Sequence, residues 1–267
     1  MNQKLTNKTS AKVDLHELKP QDWIAGLERG LGVIESFDED HPRMTAQQVG
    51  ERCGLTRTSA RRYLLTLQHL GYLSGDNKYY WLTPRIMRLG QSYLSSARLP
   101  RIVQPVLQRI SASLQEVVYL AVLDGGDVVY VARNGPNRAM NSGFVLGARV
   151  PSHVTSAGML MLAYLSDEQM EQWLQVNSLP SYTPYTIVKP AHLKRELKLI
   201  REQGWVMSEK QFDLSTRGVA VPLRDLRGDI VGAISVVMPS QLETGAQAIE
   251  RVVPILRVSA QSLRNLI

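Results

Sequence analysis

The feature that most constrains this chain is a glycine set between two helical segments. "MTAQQVGERCGL", from Met44, offers Thr45 as an N-cap and repeats Ala46, Val49 and Cys53 on one helical face before Gly54 stops it. Thr56 then caps a second segment in which Ala60, Tyr63, Leu64, Leu67 and Leu70 recur at helical spacing until Gly71. Two helices joined by the tight turn Cys53-Gly54-Leu55 make a helix-turn-helix, whose second helix enters the DNA major groove by its N-terminal end. Thr56, Arg57, Thr58, Ser59, Arg61 and Arg62 crowd the first two turns of that helix, where base edges and phosphates lie. Arginine takes guanine in two hydrogen bonds, and hydroxyls suit phosphate oxygens. Thr45, which opens the preceding helix, is assigned to the same face. Leu65 falls on the polar side, where it meets the wing or a thymine methyl.

The flanking sequence completes a winged module. "IAGLERGLGVIESF", residues 24–37, places Leu27, Leu31 and Ile34, with Val33 and Phe37 less regularly, on one face of a first helix that ends at "EDHPR". "YLSGDNKYYWLT" reads as a β-hairpin turning at Gly75-Asp76-Asn77-Lys78. Lys78 is its candidate phosphate contact, while Tyr79, Tyr80 and Trp81 are expected to pack the wing onto the helices. "PRIMRLGQSYLSSARL" is expected to form a linker helix that opens at Pro84, carries Ile86, Leu89, Tyr93 and Leu94 as an apolar stripe, and closes before Pro100. Charge supports the assignment. The net +7 lies wholly within residues 41–98, which hold nine basic and two acidic side chains, and the remainder is neutral. A basic module on a neutral body is the footprint expected of a partner for nucleic acid phosphates.

Beyond Pro100 helices and strands alternate. "RIVQPVLQRISASLQE" is an amphipathic helix, and "VVYLAVLDGGDVVYVARN" is a hairpin turning at Asp-Gly-Gly-Asp. A loop rich in Gly, Asn and Arg follows, then helices over about 156–165, 167–176 and 191–203. "GVAVPLRDLRGDIVGAISVVMP" gives two more strands, and residues 246–267 close the chain as a helix. The fold class is α+β with a mostly antiparallel sheet. Expected domains are an N-terminal tail (1–22), a winged helix-turn-helix (23–83), the linker helix (84–99) and a C-terminal domain (100–267).

Other function classes find little footing. Cys53 is the only cysteine, so neither an internal disulfide nor a cysteine zinc cage forms. His16, His41, His69, His153 and His192 are scattered without metal-ligand spacing, and neither metal nor cofactor is expected. "GLGVIE" lies within the first helix with no strand before it, unlike a dinucleotide loop. "SHVTSAG" places His153 near Ser152 and Ser156 but is no nucleophile elbow; a small-acid-binding hydrolase with a basic N-terminal module is kept as the alternative. No apolar run suggests a signal peptide or membrane span, so a cytoplasmic protein is expected.

Six blocks occur in an order that resembles one family: "GLERGLGVIESF", "LTRTSARRYLLTLQHLGYL", "YYWLTPRIMRLG", "GARVPSHVTSAGMLMLAYLS", "SYTPYTIVKPAHLKRELKLIREQGW" and "GVAVPLRDLRGDIVGAISVVMP". The chain is similar over nearly its whole length to IclR-family bacterial transcriptional regulators. "DWIAGLERGL" and "TSARRYLLTL" are most similar to the branch that senses protocatechuate, 4-hydroxybenzoate or related β-ketoadipate pathway acids. The resemblance implies a GAF-like effector domain and a homodimer or homotetramer on double-stranded operators with inverted-repeat half-sites. It leaves room for contact with RNA polymerase, and for protocatechuate, 4-hydroxybenzoate, β-ketoadipate or quinate as effector. It carries the effector carboxylate to Ser156, Ala157 and Gly158 at a helix start, facing Gly218, Ala220, Ser235 and Val237 on the last strands. Arg149, Ser152 and His153 lie just before that helix; Arg149 is placed to pair with the carboxylate, and Ser152 or His153 to bond a ring hydroxyl. "MSEKQFDLSTRG" departs from the more acidic stretch often found there, which bears on pocket specificity.

Overall fold

A computed structural model describes residues 19–76, 78–136 and 143–267, which fall into two compact units, Met1–Ser95 and Ser96–Ile267. Most of the expected N-terminal tail, with His16, lies outside the described residues, as does the middle of the Gly/Asn/Arg loop.

In the first unit α1 (Ala25–Glu35), α2 (Ala46–Cys53) and α3 (Arg57–His69) surround a small core of Val33, Met44, Val49, Ala60, Leu64, Leu67 and Leu73. Thr45 and Gln48 form a reciprocal capping box on α2, and Thr56 caps α3 by accepting from the Ser59 amide at 3.2 Å. The turn between them needs glycine twice. Gly54 stands in the left-handed region at φ 64°, and a Cβ on Gly50 would come within 2.7 Å of the Leu55 carbonyl oxygen. The wing pairs β2 (Leu73–Gly75) with β3 (Tyr79–Leu82), and β3 also pairs with the two-residue β1 (Met44–Thr45).

Three details differ from the sequence expectation. On α1 the buried residue is Val33, whereas Leu27 and Leu31 are exposed, because α2 and α3 cover only one narrow side of the helix. Leu70 is also exposed, since α3 ends at His69 and Gly71 turns the chain at φ 79°. The linker helix α4 (Met87–Ser96) follows a single 3-10 turn, and the break falls at an extended Ala97 rather than at Pro100. Pro100 lies in the first turn of α5 (Arg98–Leu114), where a missing N–H leaves no helical bond unmade.

The second unit is one antiparallel sheet with helices on both faces. The elements are β4 (Val117–Asp124), β5 (Asp127–Asn134), β6 (Arg149–Pro151), α6 (Ser156–Ala163), α7 (Asp167–Val176) and α8 (Pro190–Gln203). They are followed by β7 (Val206–Glu209), β8 (Thr216–Arg224), β9 (Ile230–Pro239) and α9 (Gly245–Leu263). The strand order is β6-β5-β4-β9-β8-β7. Along β8 and β9, Val219, Val221, Ile234 and Val236 face α5 and α9, while Ala220, Ala233 and Val237 face α6. Burial on both faces makes these strands continuous apolar runs. No helix among the described residues is long and apolar enough to cross a membrane.

Candidate functional site

Two surfaces carry chemistry, one in each unit. In the first, Thr45, Gln47, Arg57, Arg61, Lys78 and Tyr80 line a cleft of about 230 Å³ between the start of α2, the first turns of α3 and the wing. Arg57 and Arg61, four residues apart, share one face of α3, and Arg62 points about a quarter turn away. Among the described residues none of these three arginines, nor Lys78, has a carboxylate within 4.0 Å. The acids nearby are already committed. Asp76 accepts from the Tyr79 and Lys78 amides at 2.7 and 2.8 Å and faces Arg43, and these contacts, the amides first, hold its carboxyl below the usual range. Asp38 is bound to His41 and Arg52.

The hydroxyls are less free than their sequence positions suggest. Thr45 spends both proton and lone pair on Gln48, and Thr56 accepts from Ser59 while keeping a proton to donate. Thr58 is fully available on the surface. Tyr80 is buried beneath the wing, and Trp81 is stacked by the Arg43 guanidinium at 4.1 Å, so both pack as expected; Tyr79 stays exposed. Leu65 is exposed on the α3 surface. Gln47 was not singled out from the sequence; it stands beside Thr45 in the first turn of α2 with no apolar pattern to mark it.

In the second unit a narrow slot opens between the start of α6 and the ends of β8 and β9. Its walls include Tyr130, Phe144, Thr155, Ser156, Ser208, Lys210, Phe212, Gly218 and Val237. The aromatic rings meet across it, with Phe144 stacked on Tyr130 at 4.9 Å and tilted against Phe212 at 5.8 Å. The remaining space is about 30 Å³, room for a water or two. Thr155 caps α6 by accepting from the Gly158 amide at 3.1 Å, and the Ser156 and Ala157 amides have no partner among the described residues. Lys210, on a left-handed backbone at φ 60°, is the one basic residue among those lining the slot, and its ammonium lies 3.8 Å from the Glu209 carboxylate and 5.8 Å from the centre of the Tyr185 ring. Gly218 admits Ser156: a Cβ at this position would sit 2.6 Å from the Ser156 hydroxyl oxygen. Beyond Val237, two residues back along β9, Ser235 is fully buried and its hydroxyl has no partner among the described residues.

Several residues assigned to the effector have other work. Arg149 is bound to Asp124 at 2.5 Å and Asp127 at 3.2 Å on the β4–β5 turn, outside the slot, because β6 pairs with β5 there. Ser152 donates to the Gly126 carbonyl at 2.7 Å, and buried His153 donates to the Pro180 carbonyl at 3.1 Å. Burial holds His153 below the ordinary histidine range, and no hydrogen bond joins it to Ser152 or Ser156. Gly158 is a packing glycine, since a Cβ would lie 2.6 Å from the Ser152 carbonyl carbon and closer still to its oxygen and Cα. Ala220 is buried under α6 and does not line the slot. The residues that sequence reasoning missed are Tyr130, Phe144, Lys210 and Phe212. The last two lie in "SEKQFDLSTRG", the stretch whose departure from the resemblance was the only signal.

A larger groove of about 610 Å³ lies between α7 and α8, where Lys194 pairs with Glu171 and Arg201 donates to the Ala163 and Leu165 carbonyls, and no aromatic residue lines it. Among the described residues no group of three His, Cys, Asp or Glu could hold a metal ion.

Comparison with known proteins follows the same division. Residues 26–77 match the IclR helix-turn-helix domain, and residues 91–265 match the C-terminal region of bacterial transcriptional regulator IclR. The chain is 36% identical over 267 residues to the Pca operon regulatory protein of Acinetobacter baylyi, covering 98% of this chain and 95% of that one. It is 37% identical over 256 residues to the p-hydroxybenzoate hydroxylase transcriptional activator of the same organism, covering 94% of each. An IclR homolog from Microbacterium hydrocarbonoxydans, solved in complex with 4-hydroxybenzoate, superposes with a TM-score of 0.70 at 29% identity, covering 89% of this chain and 97% of that one.

Proposed function

The chain belongs to the IclR family of bacterial transcriptional regulators, and from that premise we propose that it senses a hydroxybenzoate-class acid and acts at an inverted-repeat operator. The observation that carries the effector class is an aromatic slot that ends at the open first turn of α6 beside Lys210, whose ammonium turns from Glu209 to a bound carboxylate. The Ser156 and Ala157 amides, at the positive end of α6, and the Lys210 ammonium receive the carboxylate; Tyr130, Phe144 and Phe212 sandwich the ring. A ring substituent reaching past Val237 gives the buried Ser235 hydroxyl the partner it lacks. Entry requires Phe144 and Phe212 to part, because the slot is nearly closed. A regulator named for p-hydroxybenzoate hydroxylase and a neighbour solved with 4-hydroxybenzoate both support an aromatic acid.

Calorimetric titration with 4-hydroxybenzoate, protocatechuate, 3-hydroxybenzoate and β-ketoadipate tests this reading. At least one aromatic member is expected to bind saturably below the millimolar range, and Lys210→Gln to weaken it about tenfold, the value of one charge-assisted hydrogen bond. No binding by any aromatic member, or binding indifferent to Lys210→Gln, would contradict it.

The operating form we propose is a dimer or tetramer in the cytoplasm, working alongside RNA polymerase. One recognition helix covers too little DNA for tight specific binding, and two across a two-fold axis match paired half-sites. Leu27 and Leu31 on α1, with Met87, Leu89 and Tyr93 on the linker helix, expose apolar surface suited to a second copy. Sedimentation at micromolar concentration is expected to give an even oligomer; a monomer both with and without DNA would refute it.

A further inference from the structure

We propose a second small-molecule site, for a compact polyanion, in a cleft of about 220 Å³ between the end of β8 and α9. Its floor is apolar, formed by Val221, Pro222 and Ala260, and its rim carries three guanidiniums, Arg224, Arg257 and Arg264. Arg257 and Arg264 stand two turns apart on one face of α9, and Arg224 reaches the cleft from the last residue of β8.

No carboxylate lies within 4.0 Å of any of the three among the described residues. Three other arginines of this unit do have carboxylate partners: Arg149 with Asp124 and Asp127, Arg217 with Glu209, and Arg251 with Glu116 and Glu243. Three like charges around one cleft repel, yet each is tied to a main-chain carbonyl. Arg224 donates to Gly228 at 2.8 Å, Arg257 to Gln203 at 2.5 Å and Arg264 to Asp225 at 3.3 Å. The Arg224 guanidinium also lies 4.6 Å from the centre of the Tyr164 ring. Such tethers fix the heads in place while leaving most of their N–H groups to a ligand.

A single carboxylate answers one guanidinium. A ligand with two or three clustered anionic groups answers the set, and phosphate or carboxylate oxygens both fit the guanidinium fork. The cleft is separate from the aromatic slot, because Val221 faces α9 whereas Gly218 and Ala220, on the same strand, face α6.

Titration calorimetry of the full-length protein with inorganic pyrophosphate and with citrate tests the proposal. Saturable binding of either at one site per chain is expected, and the preference between them names the oxygens that are read. Arg257→Gln and Arg264→Gln are each expected to weaken it about tenfold. The control is Arg57→Gln with Arg61→Gln on the basic recognition helix, which leaves it unchanged. Should Arg257→Gln melt early, Arg264→Gln, near the exposed end of the helix, supplies the comparison. Absence of saturable binding, or loss with the recognition-helix variant and not with the α9 variants, overturns the site. So does a change in sedimentation for Arg257→Gln with its anion titration intact, which would make the cluster a contact between copies.

Discussion

Gly158→Ala is expected to lower the melting temperature of the second unit by roughly 10 °C, on the order of 3 kcal/mol at about 2–4 °C per kcal/mol for a domain of this size. Every residue of α6 is buried, and the atoms that the new methyl would strike are the Ser152 main-chain Cα, carbonyl carbon and oxygen. Backbone has no rotamer through which to escape. The segment cannot drift away either, because the Ser152 amide and hydroxyl both bond the Gly126 carbonyl, at 3.0 and 2.7 Å, and His153 is tied to Pro180. A domain stable by about 5–15 kcal/mol loses a large share of its margin to such a clash. Differential scanning calorimetry separates the two roles considered for this glycine. If it served the ligand's approach, alanine would weaken effector binding and leave the melting temperature unmoved.

The second large effect belongs to the DNA face. Arg57→Ala with Arg61→Ala is expected to cost about 2–6 kcal/mol of operator affinity, from about 1–3 kcal/mol for each arginine that reads a base in two hydrogen bonds. In a dimer each loss is met twice. Both side chains line the same cleft with Lys78 and have no carboxylate partner among the described residues, so no internal ion pair competes with DNA for them. Gel-shift titrations across salt sort their roles. An arginine on phosphate lowers the slope of log K against log salt by about 0.9 and weakens every sequence alike, whereas one on a base relaxes preference at one position. Unchanged operator affinity in the double variant would remove α3 from the interface.

How legible each part was follows from the range of its signals. The helix-turn-helix could be read because its instructions are local: Thr45 with Gln48, Thr56 with Ser59 and the left-handed Gly54 each act within a few residues. The β4–β5 hairpin was legible for the same reason, since Asp124 pairs with Asp127 across Gly125-Gly126. β1, β6 and β7 were not foreseen. They are two to four residues long; β1 and β6 owe their strand character to a partner twenty or more residues away, and β7 reaches β8 across the irregular stretch 210–215. The covered side of α1 was misjudged because Leu27, Leu31 and Val33 are equally apolar, and only the placement of α2 and α3 selects among them.

The slot divides in the same manner. The resemblance carried the site to Gly218 and Val237, which do face α6 across the slot, and the helix start at Ser156 was visible in the chain. Arg149 stands apart from the slot because its side chain answers to Asp124 and Asp127, some twenty-five residues earlier, through the β5–β6 register. Lys210 and Phe212 sit in an irregular loop whose path is fixed by Thr183 and Thr186, which donate to the Lys210 and Gln211 carbonyls at 2.5 and 2.6 Å. No periodicity announces such a contact.

The central claim is the location of the effector, and the crystal structure of the protein grown with 4-hydroxybenzoate tests it most directly. The expected result places the carboxylate within hydrogen-bonding distance of the Ser156 and Ala157 amides and the Lys210 ammonium, with the ring between Phe144 and Phe212 driven apart. Density for the acid in the groove between α7 and α8, or at the Arg149 turn, with the aromatic slot still closed, would contradict it.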